Sequence, residues 1–288
     1  MAPSNLASAD DFEEVPQQVA STAVPGQQST QHFPPNEKPN AFTELMTRKP
    51  AKPFKPILDK TDHQTARTVF SGRDGLAAYT TDPASFPASR VVYYTDKFVV
   101  INDLFPKATV HLLILPRDTT KNVLRPQDAF DDPVFLQECR EEEQKVRALV
   151  ASELSRRFAR RSASDRPRLE ASESDYPPPD DRLPPGRDWS KDIITGIHAN
   201  PSMNHLHIHV LSRDMVSECM KKRNHYLSFT TDFLVPLSAF PLARDDHRRR
   251  YTHFPEDMCC WRCGKNFANK MARLKEHLEE EKAEWIKE

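Results

Sequence analysis

The sequence lacks long apolar runs and has little glycine, and both absences narrow its class. No segment of the 288 residues approaches the ~20 consecutive apolar residues of a membrane-spanning helix. The first residues show no basic stretch followed by an apolar core, so we expect neither a secretory signal nor a membrane partner. Only 6 residues are glycine, and neither a glycine-rich phosphate loop nor an acidic metal cluster is recognisable. We therefore expect no magnesium requirement.

Cysteine is also scarce, and net charge is almost absent. The five cysteines are an odd number, and Cys260 and Cys263 have the spacing of metal ligands, which favours a reducing compartment. The net charge of −1 hides an uneven distribution. From His205 to Lys275, thirteen Lys or Arg residues stand against seven Asp or Glu residues. Such a basic stretch is where a polyanion would bind.

Proline is abundant, with 25 residues, and it clusters in two places. Residues 1–40 are rich in Ser, Gln, Pro and Ala, which predicts a disordered N-terminal tail. Residues 162–188 combine many prolines with few apolar side chains, which predicts a disordered insertion. The insertion interrupts a predicted folded domain at 41–240. A basic linker at 241–254 and a small separate module at 255–288 complete the predicted organisation.

The heptapeptide His205-Leu206-His207-Ile208-His209-Val210-Leu211 alternates histidine with apolar residues. Strict alternation predicts a half-buried β-strand, with three imidazoles on one face and the intervening side chains in the core. Neighbouring rings would lie about 7 Å apart, which leaves room for one phosphate. A neutral imidazole is a nucleophile near neutral pH, and a protonated neighbour is a hydrogen-bond donor and acid. A row of surface histidines, or a metal site that uses two of them, would give the same pattern.

The remaining periodicity predicts an antiparallel sheet with helices, which is an α+β fold. A long amphipathic helix is predicted from residue 134 to about residue 161, after Asp132-Pro133. Four further strands are predicted at residues 90–94, 98–102, 110–115 and 193–198.

Two pairs of candidate ligands near the C-terminus predict a metal site. Two thiolates on a tight turn, followed by two ligands one helical turn apart, have the geometry of a tetrahedral structural zinc site. A glutamate stands where a second histidine is usual, and carboxylate oxygen is a competent zinc ligand. Cys259 or His253 could replace one ligand, and ordinary thiols beside a charged helix are the alternative. The predicted ligands are Cys260, Cys263, His277 and Glu281.

Two ordered signatures resemble the histidine triad (HIT) superfamily. The first is the alternating heptapeptide, and the second consists of Asp103, Pro106, His111 and Pro116 along an apolar strand. With the C-terminal finger, the arrangement resembles the aprataxins, and specifically the fungal type without an N-terminal phosphopeptide-binding domain. The resemblance implies a histidine triad fold plus a small zinc-finger module. It extends to Gly75-Leu76, Asp82-Pro83 and residues 198–203 and 274–277.

Aprataxins are DNA-repair enzymes, so the resemblance implies a reaction. The expected activity removes AMP from 5′-adenylated DNA ends left by abortive ligation, through a covalent AMP-histidine intermediate, and extends to 3′-capped ends. Nicked or broken DNA is the expected partner, AMP the product, zinc the structural cofactor and the nucleus the location. Protein partners are not predicted.

The resemblance also assigns roles within the catalytic site. His207 would be the nucleophile, His205 and His209 would contact the phosphate or orient His207, and His198 would help the 5′-phosphate to depart. Ser202 would donate a hydrogen bond to the phosphate. The other substrate contacts are predicted at Leu76 and Tyr79 beside the adenine, at Asp103 on the ribose, and at Leu104, Phe105, Pro106, Lys107 and Met203.

Basic side chains would supply the phosphate contacts that a DNA end requires beyond the nucleotide pocket. The predicted DNA-binding residues are Lys221, Lys222, Arg223, His225, Arg248, Arg249, Arg250, Lys265 and Lys270.

Two other functions compete with this interpretation. A histidine triad hydrolase of small nucleotide conjugates or dinucleoside polyphosphates would use the same triad without DNA. A non-enzymatic DNA-binding protein built around the finger is the second alternative. A single finger reads only about three base pairs, too few for a site-specific factor, and the intact triad argues against that class.

Overall fold

The structure is a computed structural model that describes residues 72–251 and 253–288. The predicted tail at 1–40 and the start of the predicted domain at 41 lie outside these residues. One antiparallel sheet carries the fold, with strand order β1-β2-β3-β5-β4-β6. Its strands are β1 (Val91–Tyr94), β2 (Phe98–Asn102), β3 (His111–Pro116), β4 (Ile193–His198), β5 (Ile208–Ser212) and β6 (Leu234–Val235).

The central strands confirm the antiparallel sheet that the sequence predicts. β3 is buried along its whole length, because its apolar side chains are covered on both faces. It pairs with β5 in a register that sets Leu113 opposite His209. On the other side of β5, β4 sets Gly196 opposite the same histidine. His209 therefore lies at the centre of the sheet.

Six α-helices lie in the part of the chain that the structure describes, and the longest packs on the sheet. The longest, α3, begins at Pro133, where the Asp132 side chain accepts hydrogen bonds from the N–H groups of Val134 and Phe135. Buried residues such as Val146 on this helix pack on the sheet. No helix among the described residues is long and apolar enough to cross a membrane. The helices are α1 (Ala77–Thr81), α2 (Pro126–Ala129), α3 (Pro133–Phe158), α4 (Arg166–Ser172), α5 (Arg223–Thr230) and α6 (Met271–Trp285).

The C-terminal segment shares its core with the sheet domain, unlike the separate module expected at 255–288. Trp285 and Ile286 belong to the buried cluster that contains Val146 of α3. The Trp285 indole Nε1 donates a hydrogen bond of 2.7 Å to Asp192, just before β4. Burying an aromatic ring of this size contributes several kcal/mol, so the segment is held to the sheet domain by its own apolar residues.

The segment 162–188 differs from the disordered insertion that its composition predicts. It contains α4, and the buried carboxylate of Asp165 accepts hydrogen bonds from the Trp189 indole and the Arg187 amide. The N–H groups of Ala163 and Ser164 donate to the carbonyls of residues 287 and 288. Composition does not reveal these contacts, because the partners are distant in the sequence.

The segment 241–254 is likewise packed rather than free. Leu242 is buried, and Tyr251 and Phe254 lie with their ring centroids 5.4 and 5.0 Å from that of Phe233. These contacts are edge-to-face, the arrangement that aromatic rings prefer. The predicted linker is therefore part of the folded surface.

Candidate active site and metal-binding cluster

The predicted triad strand begins later than the alternation suggests. β5 starts at Ile208, so His205 and His207 precede it, and the placement of three imidazoles on one regular strand is wrong. The preceding loop is fixed instead by hydrogen bonds from the N–H of Leu206 to the carbonyl of Asn122, and from the N–H of Asn204 to that of Arg73. The apolar partners still enter the core, as the alternation predicts.

The structure brings four predicted catalytic residues together. One ring nitrogen each of His198, His207 and His209 lies within 4.8 Å of the others. The ring centroids of His207 and His209 lie 5.0 Å apart, closer than the ~7 Å expected for alternate residues of a regular strand, and His207 precedes that strand. His205 is buried next to them. His198 joins the cluster from the end of β4, which is the neighbour of β5 in the sheet.

The tautomer of His207 is set by the backbone. Its Nδ1 lies 2.7 Å from the carbonyl oxygen of His205, which can only accept a hydrogen bond. We therefore assign the ring proton to Nδ1. Nε2 of the neutral ring then carries the lone pair that a nucleophile requires.

A chain of two hydrogen bonds sets the tautomer of His209. The N–H of Lys107 donates to His111 Nδ1 at 3.1 Å, so the proton of neutral His111 is on Nε2. That Nε2 lies 3.0 Å from His209 Nδ1 and donates to it. The proton of His209 is therefore on Nε2. Asp103 approaches the same His111 Nδ1 at 3.2 Å, an ion-pair distance, and we base the assignment on the hydrogen bond from the Lys107 N–H.

Burial keeps this cluster neutral. It lowers the pKa of His111 to about 4 and lowers the pKa values of His198, His207 and His209 below the ordinary value. Phe229 adds to the burial, with its ring 5.0 Å from His209. The protonated neighbour expected from the sequence is therefore neutral until an anionic substrate arrives.

Three buried imidazole nitrogens point to an anionic ligand. His198 Nε2, His205 Nδ1 and His209 Nε2 have no hydrogen-bond partner among the described residues. Buried polar atoms without partners are uncommon and costly. His209 Nε2 carries a proton by the assignment above, so a phosphate oxygen would satisfy it.

The loop before β3 contains the predicted substrate residues. One carboxylate oxygen of Asp103 accepts the N–H of Phe105 at 2.8 Å, which closes the turn. Phe105 is 47% exposed, and the Lys107 ammonium donates to its carbonyl. Leu104 and Pro106 are half-buried, and the carbonyl of Pro106 accepts from Ser217. The ribose contact proposed for Asp103 stays a prediction.

The predicted adenine-bordering residues form one apolar cluster. Leu76 and Tyr79 are buried against β2 and β3, and Met203 packs on them. Burial raises the pKa of Tyr79 to about 12, so its ring carries a neutral hydroxyl. Phe86 lies 4.3 Å from the Tyr79 ring and was not identified from the sequence. Ser202 is half-buried in the loop that precedes His205.

The sequence also missed the supporting roles of His111 and Phe229. His111 was noted only as part of a signature, although a single imidazole in an otherwise apolar buried strand is itself a signal. Nothing in the spacing of Phe229 distinguishes it from an ordinary core residue. Its contacts arise only when α5 packs beside the sheet.

The four predicted metal ligands converge. One donor atom each from Cys260, Cys263, His277 and Glu281 lies within 4.8 Å of the others. His277 Nε2 is 3.1 Å from both Cys263 Sγ and a Glu281 oxygen. Ligands of a tetrahedral zinc ion lie about 3–4 Å apart, so the donor set and its geometry fit zinc. Neither Cys259 nor His253 belongs to this group of described residues.

Arg262 adds a charged support to the metal cluster. Its guanidinium forms ion pairs with the ligand Glu281 and with Glu288. The hydrogen bond from Arg262 is the largest cause of the lowered pKa of Glu281. The carboxylate is thereby kept ionised and oriented, as a metal ligand requires.

The predicted DNA-binding cations fall into two groups. Three guanidinium groups already bind within the chain: Arg223 donates to the carbonyls of residues 255 and 256, Arg248 to Asp246, and Arg249 to the carbonyls of residues 242 and 243. The His225 ring accepts the N–H of Lys221 and Lys222 at the start of α5, and Lys222 is half-buried. The exposed members are Lys221, Arg250, Lys265 and Lys270.

Comparisons with known proteins agree with this geometry. A HIT domain model matches residues 87–216, and a model for the C2HE / C2H2 / C2HC zinc-binding finger matches residues 230–284. An aprataxin-like protein of Schizosaccharomyces pombe is 33% identical over 251 residues, covering 86% of this chain and 94% of the relative. The chain belongs to the aprataxin-like family of histidine triad proteins. The sequence-based assignment of family and fold is thus confirmed.

Two further aprataxin relatives support the same assignment. The aprataxin-like protein of Saccharomyces cerevisiae is 34% identical and covers 73% of this chain and 95% of its own length. The crystal structure of the aprataxin ortholog Hnt3 in complex with DNA matches with a TM-score of 0.56 and 29% identity, over 74% of this chain and 96% of that one. Membership of this family confirms a DNA-repair hydrolase of the histidine triad class. The finger match indicates zinc as the metal.

Proposed function

We propose that this aprataxin-like protein removes AMP from 5′-adenylated DNA ends through an AMP-histidine intermediate at His207. The observation that carries the proposal is the 2.7 Å contact between His207 Nδ1 and the carbonyl of His205. This contact leaves Nε2 with its lone pair inside a cluster whose neighbours have unsatisfied buried nitrogens. A phosphoryl group needs a positioned nucleophile and donors to its oxygens, and the cluster supplies both.

The proposed reaction has two displacements. His207 Nε2 attacks the phosphorus of AMP, an N–P bond forms, and the P–O bond to the DNA 5′-phosphate breaks. His198 then donates a hydrogen bond to the departing phosphate, while His209 Nε2–H donates to the AMP phosphate. In the second step water attacks the phosphorus, the N–P bond breaks, AMP leaves with the oxygen of the water, and the proton lost by the water passes to solvent while the ring returns to its neutral form. No step requires magnesium in this scheme.

The apolar cluster of Leu76, Tyr79 and Met203 is the proposed contact surface for adenine. Asp103 and Ser202 remain the proposed partners of ribose and phosphate. Four exposed, positively charged residues are proposed to hold the DNA strand: Lys221, Arg250, Lys265 and Lys270. The Hnt3 complex with DNA supports a DNA partner. Arg223, Arg248 and Arg249 would have to leave partners within the chain in order to contribute.

We also propose a structural role for zinc and a nuclear location. Zinc would be held by Cys260, Cys263, His277 and Glu281, and it supplies a fixed cross-link between the turn and α6. The DNA-repair family supports the nucleus as the site of action. The division at 41–240, 241–254 and 255–288 remains a proposal, with the last two segments packed against the first.

The adduct itself provides the test. The protein is incubated without added magnesium with nicked DNA whose 5′-AMP carries a radioactive phosphate, and it is quenched in alkali. The wild type is expected to release AMP and to carry a labelled histidine. His207→Ala should lose both by at least about 10³-fold while binding the nick normally, and His247→Ala, an exposed histidine, should behave as the wild type. A labelled His207→Ala protein would contradict the assignment.

A second assay separates DNA from small substrates. Deleting residues 255–288 would expose the core around Trp285, so point substitutions are the cleaner choice. Lys265→Ala with Lys270→Ala should weaken binding of adenylated DNA and lower its salt dependence by about one counterion per lysine. Turnover of adenosine 5′-phosphoramidate should not change. Equal losses on both substrates would favour a hydrolase of small nucleotide conjugates.

A further inference from the structure

Helix α5 contacts the metal-binding turn through one buried side chain. The Tyr226 hydroxyl donates a hydrogen bond of 2.8 Å to the carbonyl of Cys259 and accepts one of 3.0 Å from the N–H of Trp261. These two residues flank Cys260, one of the proposed zinc ligands. The Tyr226 side chain is fully buried. The hydroxyl therefore fixes the backbone on both sides of the ligand.

The same helix contacts the histidine cluster less than one turn later. The Phe229 ring lies 5.5 Å from His111, 5.0 Å from His209 and 4.9 Å from His198, between ring centroids. Its plane is nearly perpendicular to those of His111 and His209. Residues three apart on a helix lie on neighbouring parts of its surface, so a shift at Tyr226 is passed to Phe229.

Close packing joins the two contacts. Tyr226 and Phe229 share one buried cluster with Leu211 of β5 and with Met258 and Leu274 of the finger. A densely packed interior transmits a displacement from one side to the other, because few voids can absorb it. The position of α5 thus depends on the finger, and the imidazoles depend on α5.

We propose that Tyr226 and Phe229 are positioning residues that couple the metal-binding turn to the histidine cluster. The finger then contributes to turnover of every substrate, including nucleotides too small to reach it. This inference rests on the proposed function, since it assigns the histidine cluster to catalysis. It adds a role for the finger beyond contact with DNA.

The test uses the full-length, zinc-loaded protein with adenosine 5′-phosphoramidate as the small substrate. Tyr226→Phe removes one hydroxyl and keeps the ring in the core. We expect kcat to fall about three- to tenfold, with KM changed by less than about twofold and zinc retained at one ion per chain by native mass spectrometry. Ser228→Ala is the matched control, because it removes a hydroxyl of the same helix that donates a hydrogen bond to the His225 carbonyl within that helix.

A double-mutant cycle tests the route. Phe229→Leu should lower kcat about tenfold, and adding Tyr226→Phe should lower it by less than the product of the two single effects. Multiplicative effects, or a Tyr226→Phe protein with wild-type kcat, would overturn the coupling. Ring signals of His198 and His209 in NMR spectra should shift in Tyr226→Phe and not in Ser228→Ala.

The two proposals fail separately. If the wild type leaves adenylated DNA intact but hydrolyses the phosphoramidate, the proposed DNA reaction is refuted. The coupling can then still be tested by comparing kcat of the variants on the phosphoramidate. Where neither substrate is hydrolysed, the proposed function fails, and unshifted ring signals in Tyr226→Phe would refute the coupling by themselves.

Discussion

The histidine cluster and the metal cluster both contain imidazole, yet their surroundings favour opposite chemistry. The rings of the histidine cluster are in contact with backbone groups and other imidazoles, and the Asp103 carboxylate approaches one of them, His111, at 3.2 Å. The metal cluster lies near the surface and is supported by the charge of Arg262. Burial lowers the pKa of His207 and favours its neutral form, whereas the ion pair with Arg262 lowers the pKa of Glu281 and favours its ionised form. The environment, more than the residue type, decides what each histidine does.

The two clusters also differ in how they are assembled. The metal ligands span only residues 260 to 281, on one turn and one helix. The histidine cluster draws on β3, on the end of β4 and on both sides of the start of β5. The metal cluster is local in sequence, so residue spacing predicts it. The histidine cluster forms only when the strands pair in their register. Yet the two share packed residues, so we expect them to be energetically connected.

Trp285→Ala would test that connection most severely. Trp285 is almost fully buried between the finger helix and the sheet domain, with its ring 5.8 Å from that of Trp189. Its removal should lower the free energy of unfolding by about 3–5 kcal/mol, measured by urea denaturation. Glu279→Ala, exposed on the same helix, should change it by less than about 0.5 kcal/mol. A Trp285→Ala protein with wild-type stability would show the finger to be independent.

Arg262→Ala would isolate the ionic support of the metal cluster. Losing this partner leaves Glu281 without its orienting ion pair, so zinc affinity should fall by about 10–100-fold in a competitive chelator titration. Arg273→Ala provides the control, because Arg273 is an exposed arginine on α6, the helix that carries Glu281. Unchanged affinity after loss of Arg262 would mean that Glu281 is held by the metal alone.

The pH dependence of stability would test the effect of burial on the histidine cluster. Burial lowers the folded-state pKa of His111 to about 4, below its ordinary value. Between these two pKa values His111 binds a proton in the unfolded chain but not in the folded chain. The free energy of unfolding therefore falls as the pH drops from about 6.5 towards 4. In urea denaturation at several pH values, His111→Asn should reduce this slope by up to about 1.4 kcal/mol per pH unit.

A destabilised variant that retains every histidine controls for that experiment. Val146→Ala removes apolar contacts from the fully buried side of α3 and leaves all titratable groups in place. It should lower stability equally at every pH. If its slope changed as much as that of His111→Asn, the slope could not be attributed to His111.

Much of this fold was predictable because its signals are local. β2 and β4 have the predicted bounds, and α3 begins at Pro133, one residue before its predicted start at residue 134. The segment 162–188 was misjudged because its order depends on partners such as Trp189 and the carbonyl of Glu288. The alternation of histidine and apolar residues predicts a start for β5 that is too early. The loop before the strand instead donates its N–H groups to the carbonyls of Asn122 and Arg73.

From residue type and spacing alone, the alternating histidines, the Asp103 loop and the four predicted metal ligands are recognisable as the candidates for the chemistry. Their protonation is set by the folded structure. The tautomers of His207 and His209 depend on a carbonyl, the Lys107 amide and His111, and their neutrality depends on burial by elements such as α5. Solvent exclusion and hydrogen-bond direction are properties of assembled surfaces, and no single segment of the chain contains them.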